Sequence, residues 1–212
     1  MFKINIHLFT SVGPEAVHKI AALGPEIFLD LKYHDIPNTV AGAVSAACRL
    51  PKVRLLNLHT TGGLEMMRAG AEALAKAGLG DKGPQLIGVT VLTSLNRAAL
   101  KQVGISGAPA TRVPSLARLA KRAGLAGVVA SPHEIRQIRR ACGPGFLIVV
   151  PGVRPVTPGT QARSDDQARF ATPEAAIRAG ADYLVVGRPI TAAADPRAAA
   201  QAIAQEIASA KS

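Results

Sequence analysis

Short, continuously apolar runs recur along this chain at roughly 25–30 residue intervals, and between them lie stretches with helical spacing. The expected strands are residues 2–8, 27–32, 53–59, 86–91, 127–130, 146–150 and 183–186. The first alternates apolar with polar residues; the later ones are predominantly apolar, as befits parallel strands covered on both faces. Helices are expected over 14–23, 37–48, 64–77, 113–123 and 196–208, with others opening after Ser131-Pro132 and near Thr172. Strand–helix repetition of this kind predicts an α/β fold of the (β/α)8 TIM-barrel type with about seven βα units present in this chain. An open doubly wound sheet ranks second, because no glycine-rich dinucleotide fingerprint follows any strand.

The chain has 212 residues, enough to bury a large core, and is read as one barrel domain over 1–212. Hydrophobic residues make up 48% and aromatics only 3%, so Ala, Val, Leu and Ile do the packing. A formal charge of +11 raises the question of nucleic acid, but the basic residues form no block and have few aromatics among them. A small phosphorylated ligand plus solvated helix surface accounts for the charge better. No apolar run reaches the roughly 20 residues of a membrane span, and no leader-like stretch opens the chain. Cys48 and Cys142 lie far apart on expected helices, consistent with a reducing, cytoplasmic setting. His7, His18, His34, His59 and His133 show no metal-ligand spacing, so no metal site is expected.

Charge is concentrated in one stretch, Phe28-Leu-Asp30-Leu-Lys32-Tyr-His-Asp35-Ile36-Pro-Asn-Thr39. Asp30 and Lys32 interrupt an apolar strand at i and i+2, which directs both to one face. Asp35 follows beyond the strand end, and Pro37 suits the first turn of a helix. The bland account is a buried ion pair with Asp35 capping that helix. The functional account is a charge array at a strand tip, where α/β folds carry chemistry.

Two features of the second half point to an anion. A long connection after residue 150 carries Arg154 and Gln167, and connections of that length are commonly binding loops. The seventh strand runs into Gly187-Arg188, where Gly permits close backbone approach and Arg offers a bidentate fork to phosphate. Barrel enzymes often hold phosphate in the loops after their last two strands.

With Asp30-x-Lys32-x-x-Asp35-Ile-Pro-Asn-Thr39, Leu92-Thr93-Ser94, Pro151-Gly-Val-Arg154, Asp166-Gln167 and Val186-Gly187-Arg188-Pro189 in this order, the chain resembles the bacterial orotidine 5′-phosphate decarboxylases over nearly its whole length. The resemblance implies a (β/α)8 barrel homodimer that converts orotidine 5′-phosphate to UMP and CO2 in de novo pyrimidine synthesis, without metal or cofactor. It implies a catalytic array of Lys3, Asp30, Lys32 and Asp35, with Lys32 donating a proton to C6. Asp35, Ile36 and Thr39 would reach the neighbouring subunit's site. Thr93 and Ser94 would sit near the pyrimidine, and Gln167, Gly187 and Arg188, with the Arg154 loop, would hold the phosphate.

The family's first strand, with an Ala-Leu-Asp-like motif, and the helix after it have no counterpart here, so the chain is expected to be N-terminally incomplete. Asn5 and His7 also stand where the family usually has Gly and Glu. Two rival readings follow. One is a Mg²⁺-dependent sugar-phosphate decarboxylase or synthase of the same suprafamily, which also uses an Asp-x-Lys-x-x-Asp motif; the other is a catalytically impaired phosphate-binding protein.

Overall fold

Val53–His59 is buried at five of its seven positions, four of them apolar, and its neighbours in the sheet are largely apolar too, so the backbone satisfies itself by pairing within the sheet. In the computed structural model, residues 1–80, 83–155 and 171–211 are described. Seven strands are ordered as in the sequence: β1 (Phe2–Asn5), β2 (Ile27–Tyr33), β3 (Val53–His59), β4 (Gln85–Val89), β5 (Gly127–Val129), β6 (Leu147–Pro151) and β7 (Tyr183–Val185). The pairings β1–β2, β2–β3, β3–β4 and β6–β7 are parallel. Parallel neighbours with intervening helices are the βα repeat expected of the (β/α)8 TIM-barrel type.

The chain divides into two compact units. The first comprises Met1–Thr90 and Leu116–Val128. It contains α1 (Ile6–Val12), α2 (Glu15–Ala22), α3 (Pro37–Ala47) and α4 (Gly63–Lys76). Its core is aliphatic, with Ile4, Ile27, Leu29, Leu55, Leu56 and Ile87 fully buried. Gly70 lets α4 settle onto the sheet: a Cβ there would stand 3.1 Å from Leu58 and 3.2 Å from Leu86 side-chain carbons. The second unit comprises Val91–Ser115 and the chain from Val129 onward. It holds α5 (Arg97–Gln102), α7 (Ile135–Cys142), α8 (Pro173–Arg178), α9 (Arg188–Thr191) and α10 (Pro196–Lys211); α6 (Pro109–Arg122) runs from the second unit into the first. Ile135, Ile138, Ile148, Val149 and Val150 are buried here.

Most elements fall where periodicity places them, and several do not. The strand expected over 2–8 ends at Asn5, whose side chain accepts the Leu8 N–H at 3.0 Å and caps α1. A cap of this kind offers the backbone a helical alternative to continued alternation. The polar segment before α6 likewise contains α5, capped by Asn96 accepting from Ala99 N–H at 3.0 Å and anchored by buried Leu100. α6 itself begins at Pro109 rather than near 113, because Pro114 is accommodated inside it. The helix expected after Ser131-Pro132 starts as a 3-10 turn, Pro132–Glu134, before α7.

Candidate active site

Lys3, Asp30 and Lys32 converge through the register of β1, β2 and β3. Asn5 pairs with Asp30, and Lys3 shares its strand face two residues away. Leu29 pairs with Leu56, which brings Asp30 beside Asn57. Asp30 is 6% exposed, and its carboxylate is fully engaged. Lys3 Nζ donates to Oδ2 at 2.8 Å, Lys32 Nζ to Oδ1 at 2.5 Å, and Asn57 Nδ2 to the same Oδ1 at 2.7 Å. A carboxylate this deep is tolerated because two ammoniums and an amide replace its water. Burial by itself pushes the Asp30 carboxyl up. The Lys3 hydrogen bond and charge, with the bonds from Lys32 and Asn57, outweigh it and hold the group below its ordinary range.

Lys32 departs from strand geometry. Its φ is 54°, one of two non-glycine residues at positive φ among those described. Leu29 pairs with Leu56 but Tyr33 with Leu58, so four steps along β2 span two along β3. The Lys32 N–H, displaced from the ladder, donates to Asn57 Oδ1 at 2.7 Å. The i and i+2 alternation places Asp30 and Lys32 together, but the observed contact depends on this bulge as well.

β3 ends in His59, whose ring centroid lies 5.4 Å from that of His34 at a tilt of 32°. Burial lowers the His59 imidazole below its usual value, and the nearby His34 and Lys32 charges lower it further against an opposing pull from Asp30. After His59 comes the 3-10 turn Thr60–Gly62, pinned by Thr60 Oγ1 donating to Val89 O at 2.9 Å. Gly62 leaves the space that the Met66 side chain fills: a Cβ would fall 2.1 Å from Met66 Sδ and 3.2 Å from the His34 ring.

Asp35, Ile36 and Thr39 are exposed. Asp35 Oδ1 accepts the Ile36 N–H at 2.7 Å, while the cap position of α3 is Ile36, with no side-chain capping bond. Asp35 is therefore not a conventional helix cap. Ile36, two-thirds exposed, is a large apolar side chain at the surface beside it.

The remaining expected residues lie in the second unit. Thr93 and Ser94 sit in the turn after β4, closed by Leu95 N–H donating to Leu92 O at 2.9 Å. Arg154 follows β6, and its N–H donates to Ala171 O at 3.0 Å. Gly187, with no neighbour within 4 Å of an added Cβ, precedes Arg188 at the start of α9 after β7. Gln167 lies outside the described residues. Asn57 was missed by pattern reasoning. Its signal was a lone amide inside the apolar run Leu55-Leu-Asn-Leu58, next in line to a strand carrying Asp30. Among the described residues no group of three or more His, Cys, Asp or Glu side chains is placed to hold a metal ion. No helix among them is long and apolar enough to cross a membrane.

The fold is of the (β/α)8 TIM-barrel type, with a charge cluster toward the C-terminal ends of its strands, where this class of α/β protein carries enzymatic chemistry. The family model for orotidine 5′-phosphate decarboxylase / HUMPS matches residues 1–203, and the chain belongs to that family. It is 55% identical to the orotidine 5′-phosphate decarboxylase of Trichlorobacter lovleyi over 98% of this chain and 84% of the relative. Among solved structures, the orotidine 5′-phosphate decarboxylase of Lactobacillus acidophilus matches with a TM-score of 0.83 and 38% identity, over 97% of this chain and 85% of that one. That of Pyrococcus horikoshii matches with a TM-score of 0.72 and 27% identity, over 97% and 86%. The activity those relatives are named for is that of a carbon–carbon lyase.

Proposed function

We propose that this chain decarboxylates orotidine 5′-phosphate to UMP and CO2, the last step of de novo pyrimidine synthesis, without metal or organic cofactor. The observation that carries the reading is the buried Asp30 carboxylate held between the ammoniums of Lys3 and Lys32. The C6–carboxylate bond breaks, CO2 leaves, and the electron pair stays at C6 in an orbital that the ring cannot delocalise. A fixed ammonium stabilises that developing charge and then supplies its proton: Lys32 Nζ gives H⁺ to C6, leaving a neutral amine that regains a proton from solvent. Enzymes lower barriers by about 8–23 kcal/mol, and a reaction without an electron sink needs the upper part of that span. Asp30, beside the substrate carboxylate, adds repulsion that ends on CO2 loss, a secondary contribution.

Thr93 and Ser94 contact the pyrimidine in this reading, while Gln167, Gly187, Arg188 and the Arg154 loop bind the phosphate. Binding energy at the phosphate, remote from C6, then serves the chemical step. The protein acts as a cytoplasmic homodimer, each protomer lending Asp35, Ile36 and Thr39 to its neighbour; the surface position of all three supports this.

Turnover of orotidine 5′-phosphate, followed by the change in ultraviolet absorbance, tests the proposal. Wild type is expected to be active, and Lys32→Ala to lose about 10²–10⁴-fold or more in kcat. Activity abolished by EDTA would favour a Mg²⁺-dependent sugar-phosphate enzyme instead. Wild type and Lys32→Ala equally silent, with both binding UMP, would identify a binding protein.

A further inference from the structure

Asn57 is wholly buried and makes two short hydrogen bonds that run in opposite senses. Its Oδ1 accepts the Lys32 N–H, and its Nδ2 donates to Asp30 Oδ1, each at 2.7 Å. The same Asp30 oxygen receives Lys32 Nζ at 2.5 Å. One amide thus grips the backbone of the residue that carries the ammonium and the carboxylate that holds it. Resting on the decarboxylase reading above, we infer that Asn57 is a positioning residue, which fixes the Lys32 ammonium by holding the Lys32 backbone in its left-handed conformation and one oxygen of Asp30.

Three observations combine here. A left-handed backbone is unfavourable for a residue with a Cβ, so Lys32 at φ 54° needs an external restraint. The ladder does not supply it, because the β2–β3 register slips between Leu29 and Tyr33. The displaced Lys32 N–H donates instead to the Asn57 side chain. An aliphatic side chain of similar size at 57 leaves a buried N–H and a buried carboxylate oxygen each short of a partner. The backbone then has reason to relax toward an ordinary strand, which swings Lys32 Nζ away from its place on Asp30.

The test compares Asn57→Leu, which removes both bonds, with Asn57→Asp, which keeps the oxygen that receives the Lys32 N–H. Asn57→Leu is expected to lower kcat for orotidine 5′-phosphate by about 10²-fold, the scale set by a displacement near 1 Å. UMP affinity should stay within about threefold, since Asn57 touches the lysine rather than the ligand. Asn57→Asp keeps the acceptor of the Lys32 N–H but turns a carboxylate oxygen toward Asp30 Oδ1 in place of a donor, so its kcat is also expected to fall, and it carries the test if Asn57→Leu does not fold. Wild-type kcat in either variant would overturn the inference, as would equal losses in kcat and UMP affinity. Crystal structures of the variants read the geometry without turnover: Lys32 should leave positive φ in Asn57→Leu, and Lys32 still near φ 54° with Nζ on Asp30 would overturn the inference. If wild type itself fails to turn over orotidine 5′-phosphate, the decarboxylase reading falls, and this geometric comparison still decides the role of Asn57.

Discussion

Lys32 Nζ donates to Asp30 Oδ1 at 2.5 Å although a single residue separates them, and it does so from a backbone at φ 54°. In a regular strand their Cα atoms would stand about 6.7 Å apart with side chains parallel. The bulge in β2 turns the lysine so that its amine folds back over the carboxylate. Lys3 completes the arrangement from the adjacent strand, reaching Oδ2 at 2.8 Å. A left-handed non-glycine residue costs about 1–2 kcal/mol, and the Asn57 bond to its N–H offsets part of that.

The depressed Asp30 carboxyl ties stability to pH. Its folded value lies below the ordinary 3.8, so the unfolded chain takes up a proton first as pH falls. The stabilisation is therefore fully present above that ordinary value and is lost as pH drops through the folded one. Urea unfolding from pH 7 to pH 3 should show wild type losing stability in this acid window. Asp30→Asn should lack that component and be less stable at pH 7, where it leaves two ammoniums facing each other. A difference between the two proteins that does not change with pH would count against the ion-pair account.

His59 should titrate below 6.5, because it is half-buried and faces His34 and Lys32. Following the imidazole by proton NMR gives the midpoint directly. His34→Ala removes the larger of the two charge effects and is expected to move His59 back toward 6.5; Lys32→Ala should act in the same direction. A wild-type midpoint at or above 6.5 would contradict the packing of the two rings.

Arg139 of α7 is a stability centre remote in function from the charge cluster. Its guanidinium donates to the carbonyls of Gly143, Pro144, Phe146 and Gly180 and to the Asp182 carboxylate, at 2.6 to 3.0 Å. Asp182 Oδ2 in turn accepts the Ile148 N–H at 2.7 Å, so the network ties the start of β6 to the turn before β7. Arg139→Ala should cost about 2–3 kcal/mol by chemical denaturation, the range for stranding several hydrogen-bonding groups. Arg139→Lys should restore little, since an ammonium cannot reproduce the planar fork. A loss under half a kcal/mol in Arg139→Ala would show that solvent replaces these bonds.

If Asp35 serves the neighbouring site, subunit mixing reveals it. Lys32→Ala and Asp35→Ala homodimers should each be nearly inactive. Unfolded together and refolded in equal amounts, they should regain about a quarter of wild-type activity, because half the dimers are mixed and each has one intact site. No recovery, with mixed dimers verified by mass spectrometry, would place Asp35 in its own subunit's site or outside catalysis.

Much of this protein is legible locally. Apolar runs with helical stretches between them identify the βα repeat because both signals are carried by neighbours in sequence. The strands expected at 27–32 and 53–59 match β2 and β3 within a residue. The charges at Asp30, Lys32 and Asp35 also stand out in an apolar context without any knowledge of partners. Short capped helices were harder: Asn5 and Asn96 each divert the chain into a helix through one side-chain bond that periodicity does not register. Asn57, the positive φ of Lys32, the slip between β2 and β3, and the contact of Lys3 with Asp30 belong to the tertiary structure. Each depends on residues 25 or 27 positions apart meeting across a sheet. The sequence by itself determined which residues carry charge and on which strands; only pairing of those strands decided which oxygen each ammonium reaches, since register is a property of two strands and not of either one.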